Sequence, residues 1–217
     1  MSVTYFTADF RIATRIIKMA VKLINSSQSI KIELLELGLT VYKLLVKVGD
    51  SYIDIIPGFE KEEDYVNLGR KFLHSIIGRY TNRLEVKEHK IKCHNGNESS
   101  VNPEPVESDK VSHHGGLDSF DRQFFKHVRD LNQVKLFDTS EFGGFNEESY
   151  AIFNYVSNHG DNGYPGNMLI EVLVLLTDND VLINHRGCML DETVPCPINL
   201  TQVSWFLCKT SYLLIII

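Results

Sequence analysis

Three short segments hold the side chains best suited to hydrogen-bond chemistry: Gly78 to Arg83 ("GRYTNR"), His113 to Gly116 ("HHGG"), and Pro197 to Phe206 ("PINLTQVSWF"). An imidazole can donate or accept a hydrogen bond near neutral pH. An amide such as Asn82 offers both a donor and an acceptor, and the guanidinium of Arg83 offers several donors in a fixed fork. Paired glycines beside His114 let backbone come close to a ligand. Outside such a pattern, an Arg or a His-His pair is an ordinary surface feature. The other histidines, His74, His89, His94, His127, His159 and His185, show no metal-like spacing and receive no role.

The elements that must position these segments read as strands. Ile30, Ile32 and Leu34 alternate with Lys31 and Glu33, and Leu44, Val46 and Val48 alternate with Leu45 and Lys47, the two-residue repeat of half-buried strands. Gly49-Asp50 supplies a turn before Tyr52 to Ile56, which predicts a hairpin. Further along, Tyr150 to Val156 and Met168 to Leu176 read as strands, with turns at Gly160 to Gly166 and Thr177 to Asp180. The polar, proline-bearing stretch Glu98 to Lys110 predicts a flexible loop. The acidic run Glu60 to Tyr65 predicts a solvated loop or short helix. Short strands at regular intervals predict an all-β sandwich.

Composition narrows the classes. The chain has 217 residues, 43% of them hydrophobic, enough to bury the core of one large domain. Lys plus Arg number 22 against 28 for Asp plus Glu, so no basic footprint for nucleic acid exists. The four cysteines, Cys93, Cys188, Cys196 and Cys208, form no C-x-x-C pair, which points to a reducing, cytoplasmic setting. The apolar run Leu213 to Ile217 is far shorter than the roughly 20 residues of a membrane-spanning helix. A tail of this kind, "YLLIII", aggregates unless it is paired or buried.

The N-terminus reads separately. Phe10, Ala13, Ile17, Ala20 and Ile24 recur at helical spacing behind Asp9, a possible N-cap, with Arg11, Arg15, Lys18 and Lys22 on neighbouring faces. A targeting segment or a membrane-surface helix would have this pattern. The preferred reading of residues 1–22 is a divergent lead-in to the first strand.

The motifs, in order, resemble the aldose 1-epimerase (galactose mutarotase) family. The matching residues are Gly78, Arg79, Asn82 and Arg83; His114 before Gly115-Gly116, followed by Phe120-Asp121-Arg122; Asp161-Asn162-Gly163-Tyr164-Pro165-Gly166; and Pro197 to Phe206. The resemblance runs over residues 23–206, the N-terminal two-thirds of a family member, with 207–217 as an unmatched apolar tail. It implies a galactose mutarotase-like antiparallel β-supersandwich, incomplete at the C-terminus. It also implies a free aldose, galactose or glucose, as ligand, held by Asn82, Arg83 and His114, with no cofactor or metal. Oligomeric state is left open.

The chemistry implied by the resemblance is exchange of α and β anomers. A base takes the proton of the anomeric hydroxyl while an acid protonates the ring oxygen, the ring opens, and C1 turns over before reclosure. The family's acid is a His at the position held here by Val203, and its base is a Glu expected beyond Ile217. Valine transfers no proton. Three function classes follow: an aldose 1-epimerase of hexose and galactose metabolism with impaired catalysis, a sugar-binding pseudoenzyme, and a nonfunctional fragment.

Overall fold

The computed structural model describes residues 20–68, 70, 72–207 and 212–216. Two four-stranded antiparallel sheets form its body. The first contains β1 (Val21–Ile24), β2 (Ile30–Leu35), β3 (Thr40–Val48) and β4 (Ser51–Asp54) in that order. A single helical turn, Asp64–Asn67, and the short strands β5 (Ile76–Ile77), β6 (Arg83–Glu85), β7 (His89–Lys92), β8 (Glu98–Val101) and β9 (Val111–His113) follow. The second sheet contains β10 (Lys126–Val128), β11 (Tyr150–Ser157), β12 (Met168–Leu176) and β13 (Val181–Met189). Finally β14 (Thr201–Leu207) lies between β5 and β15 (Tyr212–Ile216).

The alternating side chains of β2, Ile30, Ile32 and Leu34, meet Met168, Ile170, Val172 and Val174 of β12 in one core, so the two sheets pack face to face. On the other face of β12, Leu173 and Leu175 join Ile152, Phe137 and Phe142 in a second cluster. All nine residues of β12 are therefore buried, as a run apolar at eight of its nine positions requires. The one charge in that run, Glu171, is fully buried, and its carboxylate accepts the amides of Lys135 (3.0 and 3.1 Å) and Leu136 (2.7 Å). Asn25 joins the sheets at one end, accepting from the Ser29 and Ile30 amides and donating to the Thr177 carbonyl at 2.9 Å.

Some expectations from the sequence need correction. Glu98–Val101, within the stretch expected to be a flexible loop, is a strand paired with β7. It has no apolar repeat, because only Val101 of it is buried. The helical spacing that extends to Ile24 does not produce helix at that end, since Val21–Ile24 pairs with β2; residues 1–19 lie outside the described residues. In the first hairpin Val48 is exposed, at the end of β3 next to the Gly49-Asp50 turn. The apolar tail is paired: β15 runs antiparallel to β14, with Val203 opposite Ile216 and Leu207 opposite Tyr212.

Candidate functional site

The segment Gly78 to Arg83 is where the motifs meet. Arg79 is only 2% exposed. Its guanidinium donates to the carbonyls of Ser157, Asn158, Pro165 and Gly166, clamping the "DNGYPG" turn. Asn199 of the "PINL" segment donates its amide to the Arg79 carbonyl (2.8 Å), and its own carbonyl accepts from the Thr81 amide (3.0 Å). Gly115 of the "HHGG" loop sits against the Gly78 carbonyl, where a Cβ would come within 2.1 Å of the oxygen, and its φ of +84° also favours glycine. Segments up to about 120 residues apart in sequence thus share one small region, the stitching being mostly backbone to side chain.

On this hub, β6 pairs with β9 so that Arg83 lies opposite His113. That pairing brings Asn82 and His114 together just past the strand ends. The Asn82 amide donates to His114 Nδ1 (3.1 Å), and the His114 amide donates to the Asn82 carbonyl (2.9 Å). With Nδ1 accepting, the neutral imidazole carries its proton on Nε2 and presents a donor. Burial, followed by the adjacent His113 and Arg70, holds the His114 pKa down at about 4, so the ring is neutral at pH 7. Asn82 leaves its side chain exposed.

Arg83 is placed differently. More than half of its side chain is in solvent, and its fork is engaged by Glu107, with Nε to Oε2 at 2.5 Å and Nη2 to Oε1 at 3.0 Å. Val203 lies in β14, where its amide donates to the Ser75 carbonyl at 3.2 Å and its side chain has no polar atom.

Two residues without a role in the sequence reading shape the His114 surroundings. Arg70 forms a forked ion pair with Asp121 (2.6 and 2.7 Å), donates to the Gly116 carbonyl (2.9 Å), and stands 4.3 Å from the Phe72 ring centre. Phe72 in turn meets the His114 ring edge-on at 4.8 Å, and the His113 ring lies 3.8 Å from it, tilted by 30°. Arg70 therefore holds the His114 loop both through Gly116 and through Phe72. No signal in the sequence marks it, since Asp121 is followed directly by Arg122 while its actual partner lies 51 residues away. His74 is the third omission: only 1% exposed, it bonds the Pro57 carbonyl through Nε2 (2.7 Å) and accepts the Trp205 amide at Nδ1 (3.3 Å), joining β14 to the 57–59 loop. Among the described residues, no group of His, Cys, Asp and Glu is arranged to hold a metal ion. No described helix is long and apolar enough to cross a membrane.

Comparison with known proteins gives a consistent picture. A model of the aldose 1-epimerase family matches residues 19–214. Galactose mutarotase of Bos taurus is 26% identical over 188 residues, covering 83% of this chain and 45% of that protein. Aldose 1-epimerase of Escherichia coli (strain K12) is 26% identical over 186 residues, covering 84% and 46%. Among solved structures, the aldose epimerase homologue from C. elegans superposes with a TM-score of 0.67 at 20% identity, over 88% of this chain and 51% of that one. Galactose 1-epimerase from Lactobacillus acidophilus NCFM gives a TM-score of 0.64 at 19% identity, over 85% and 47%. The antiparallel sheets are thus those of the mutarotase fold. The chain spans about half the length of the curated relatives it matches, less than the two-thirds that the motif order implies.

Proposed function

Because the chain belongs to the aldose 1-epimerase family, we propose that it binds a free aldose, galactose or glucose, over Asn82, Arg83 and His114 and does not speed the exchange of its anomers. The observation that carries this reading is the fixed tautomer of His114. Its Nδ1 is occupied by the Asn82 amide, so Nε2 offers a neutral N–H to a sugar oxygen. Asn82 adds an exposed amide beside it, and Arg83 a fork that one exposed carboxylate occupies. This is a hydrogen-bonding surface rather than a proton-transfer centre.

The impairment rests on Val203, at the position where the family resemblance places the acid. A positioned acid or base contributes roughly 10²- to 10⁴-fold, and a valine contributes none of it. The protein is then a sugar-binding pseudoenzyme of hexose metabolism. A cytoplasmic setting belongs to the same proposal, supported by free thiols at Cys93, Cys188 and Cys196. The test is polarimetry of freshly dissolved α-D-galactose and α-D-glucose at low temperature, alongside an NMR titration with galactose. Rates equal to the buffer blank, with saturable shifts at Asn82 and His114 that disappear in His114→Ala, are expected. A rate proportional to protein concentration and abolished in His114→Ala would restore the enzyme reading.

A further inference from the structure

His113 stands in the same constellation as Asn82, Arg83 and His114, and the functions assigned to those three leave it unused. It lies opposite Arg83 in the β6–β9 ribbon, so the two side chains leave the same face of that ribbon. The His113 ring is 3.8 Å from that of His114 and meets Phe72 edge-on at 5.9 Å. The residue is half-buried. Among the described residues nothing hydrogen-bonds either of its ring nitrogens, and neither nitrogen is sealed from solvent, whereas the unpartnered Nδ1 of His127 is buried. Both nitrogens of His113 are therefore open to a ligand.

The neighbours decide what such a nitrogen adds. Arg83 offers only N–H donors, and His114, with Nδ1 taken by the Asn82 amide, offers only its Nε2–H. The carboxylate of Glu107 is spent on the Arg83 fork. A sugar hydroxyl that accepts from one of these donors still carries its own proton, and leaving that proton without an acceptor costs affinity. Asn82 contributes one acceptor, its side-chain carbonyl. A neutral His113 contributes another. Burial, followed by the charge of Arg83, holds the His113 pKa below the usual 6.5; Glu107 acts the other way and Arg70 adds to the depression. At pH 7 the ring is neutral and keeps one nitrogen as an acceptor. No protein group fixes its tautomer, so either nitrogen can take that part.

We propose that His113 is a further ligand contact of this site, its free ring nitrogen accepting the proton of a sugar hydroxyl that Arg83 or His114 also engages. The inference rests on the aldose reading of Asn82, Arg83 and His114, and its test separates the two. Galactose titrations of the full chain are followed by NMR at the Asn82 and His114 amides and at the imidazole nitrogens of His113. In the unaltered chain those nitrogens should shift with the same midpoint as the two amides. His113→Phe keeps a ring against His114 and Phe72 but has no acceptor, and should weaken binding about fivefold. His113→Gln, whose side-chain carbonyl accepts, should recover most of that loss. Imidazole nitrogens that stay still while the amides saturate, or an unchanged midpoint in His113→Phe, would overturn the role of His113 and leave the aldose reading standing. Equal weakening in His113→Phe and His113→Gln would overturn it too, making the imidazole a packing group. No saturable shift in the unaltered chain would overturn both. Should a variant fail to fold, the imidazole shifts of the unaltered chain decide.

Discussion

Asn82 and His114 are joined twice, by the Asn82 amide to His114 Nδ1 and by the His114 amide to the Asn82 carbonyl. Both residues have positive φ, 73° for Asn82 and 52° for His114, a conformation in which asparagine and histidine are among the less disfavoured residue types. The reciprocal bonds offset that strain. They also fix which ring nitrogen carries the proton, so the backbone of one motif sets the chemistry of another.

The first prediction concerns Arg70. Its charge stands across Phe72 from His114 and is one of the causes that depress the His114 pKa to about 4. Replacing it as Arg70→Met removes that charge and loosens the loop at Gly116, so the pKa should rise, while Arg70→Lys should restore most of the depression. Titration of the His114 Cε1 proton by NMR checks this. An unchanged pKa in Arg70→Met would mean that burial and the adjacent His113 hold the ring neutral without it.

The second prediction concerns stability against pH. Burial is the first cause of lowered pKa at His74, His113, His114, His127 and His185. Unfolded, each titrates near 6.5. The unfolded chain therefore binds more protons than the folded one below that pH, and stability declines as pH falls from about 6.5 toward about 4. The urea midpoint should already fall between about pH 7.5 and about pH 5, before most carboxylates titrate. A flat midpoint over that window would contradict the assignment.

How much of this was legible in the sequence depended on whether the signal was local. The run of β12, apolar but for Glu171, and the turn at Gly49-Asp50 announce themselves, because periodicity and turn chemistry are properties of neighbours in sequence. His114 and Asn82 were legible through motif resemblance. Arg70 was not, since its importance comes from Asp121, Gly116 and Phe72 meeting it in space. Glu107 was missed for a similar reason: it lies in a polar stretch that gives no strand signal, and β6 and β9 must pair before it can reach Arg83. His74 carried no sequence signal at all. Its value lies in satisfying a carbonyl and an amide from segments 17 residues upstream and 131 downstream.

The third prediction concerns Glu171. A carboxylate in a strand buried on both faces is tolerated because it receives the Lys135 and Leu136 amides, and Arg186 on β13 fastens the same segment by donating to the Leu136 carbonyl at 2.6 Å. Glu171→Leu fits the surrounding run but orphans two amides, at a cost of about 1–3 kcal/mol. The urea midpoint should drop accordingly, and hydrogen exchange should quicken at Lys135 and Leu136 first. Unchanged exchange there would show that Arg186 alone secures the segment.

The last prediction separates the sugar from the carboxylate that now occupies Arg83. Arg83 and Glu107 form an exposed pair, with Glu107 held below the usual carboxylate range chiefly by its hydrogen bond to Arg83. Exposed pairs are weak because both charges stay hydrated, so a sugar hydroxyl can compete for the same fork. If Arg83 binds the aldose, Glu107→Ala removes the competitor, and galactose affinity should rise by up to about fivefold, whereas Arg83→Ala should lower it. Both effects are read from the midpoint of galactose titrations followed at the Asn82 and His114 amides, at fixed ionic strength because the pair is screened by salt. Weaker binding in Glu107→Ala would instead make Glu107 the group that accepts from the sugar, with Arg83 serving only to orient it.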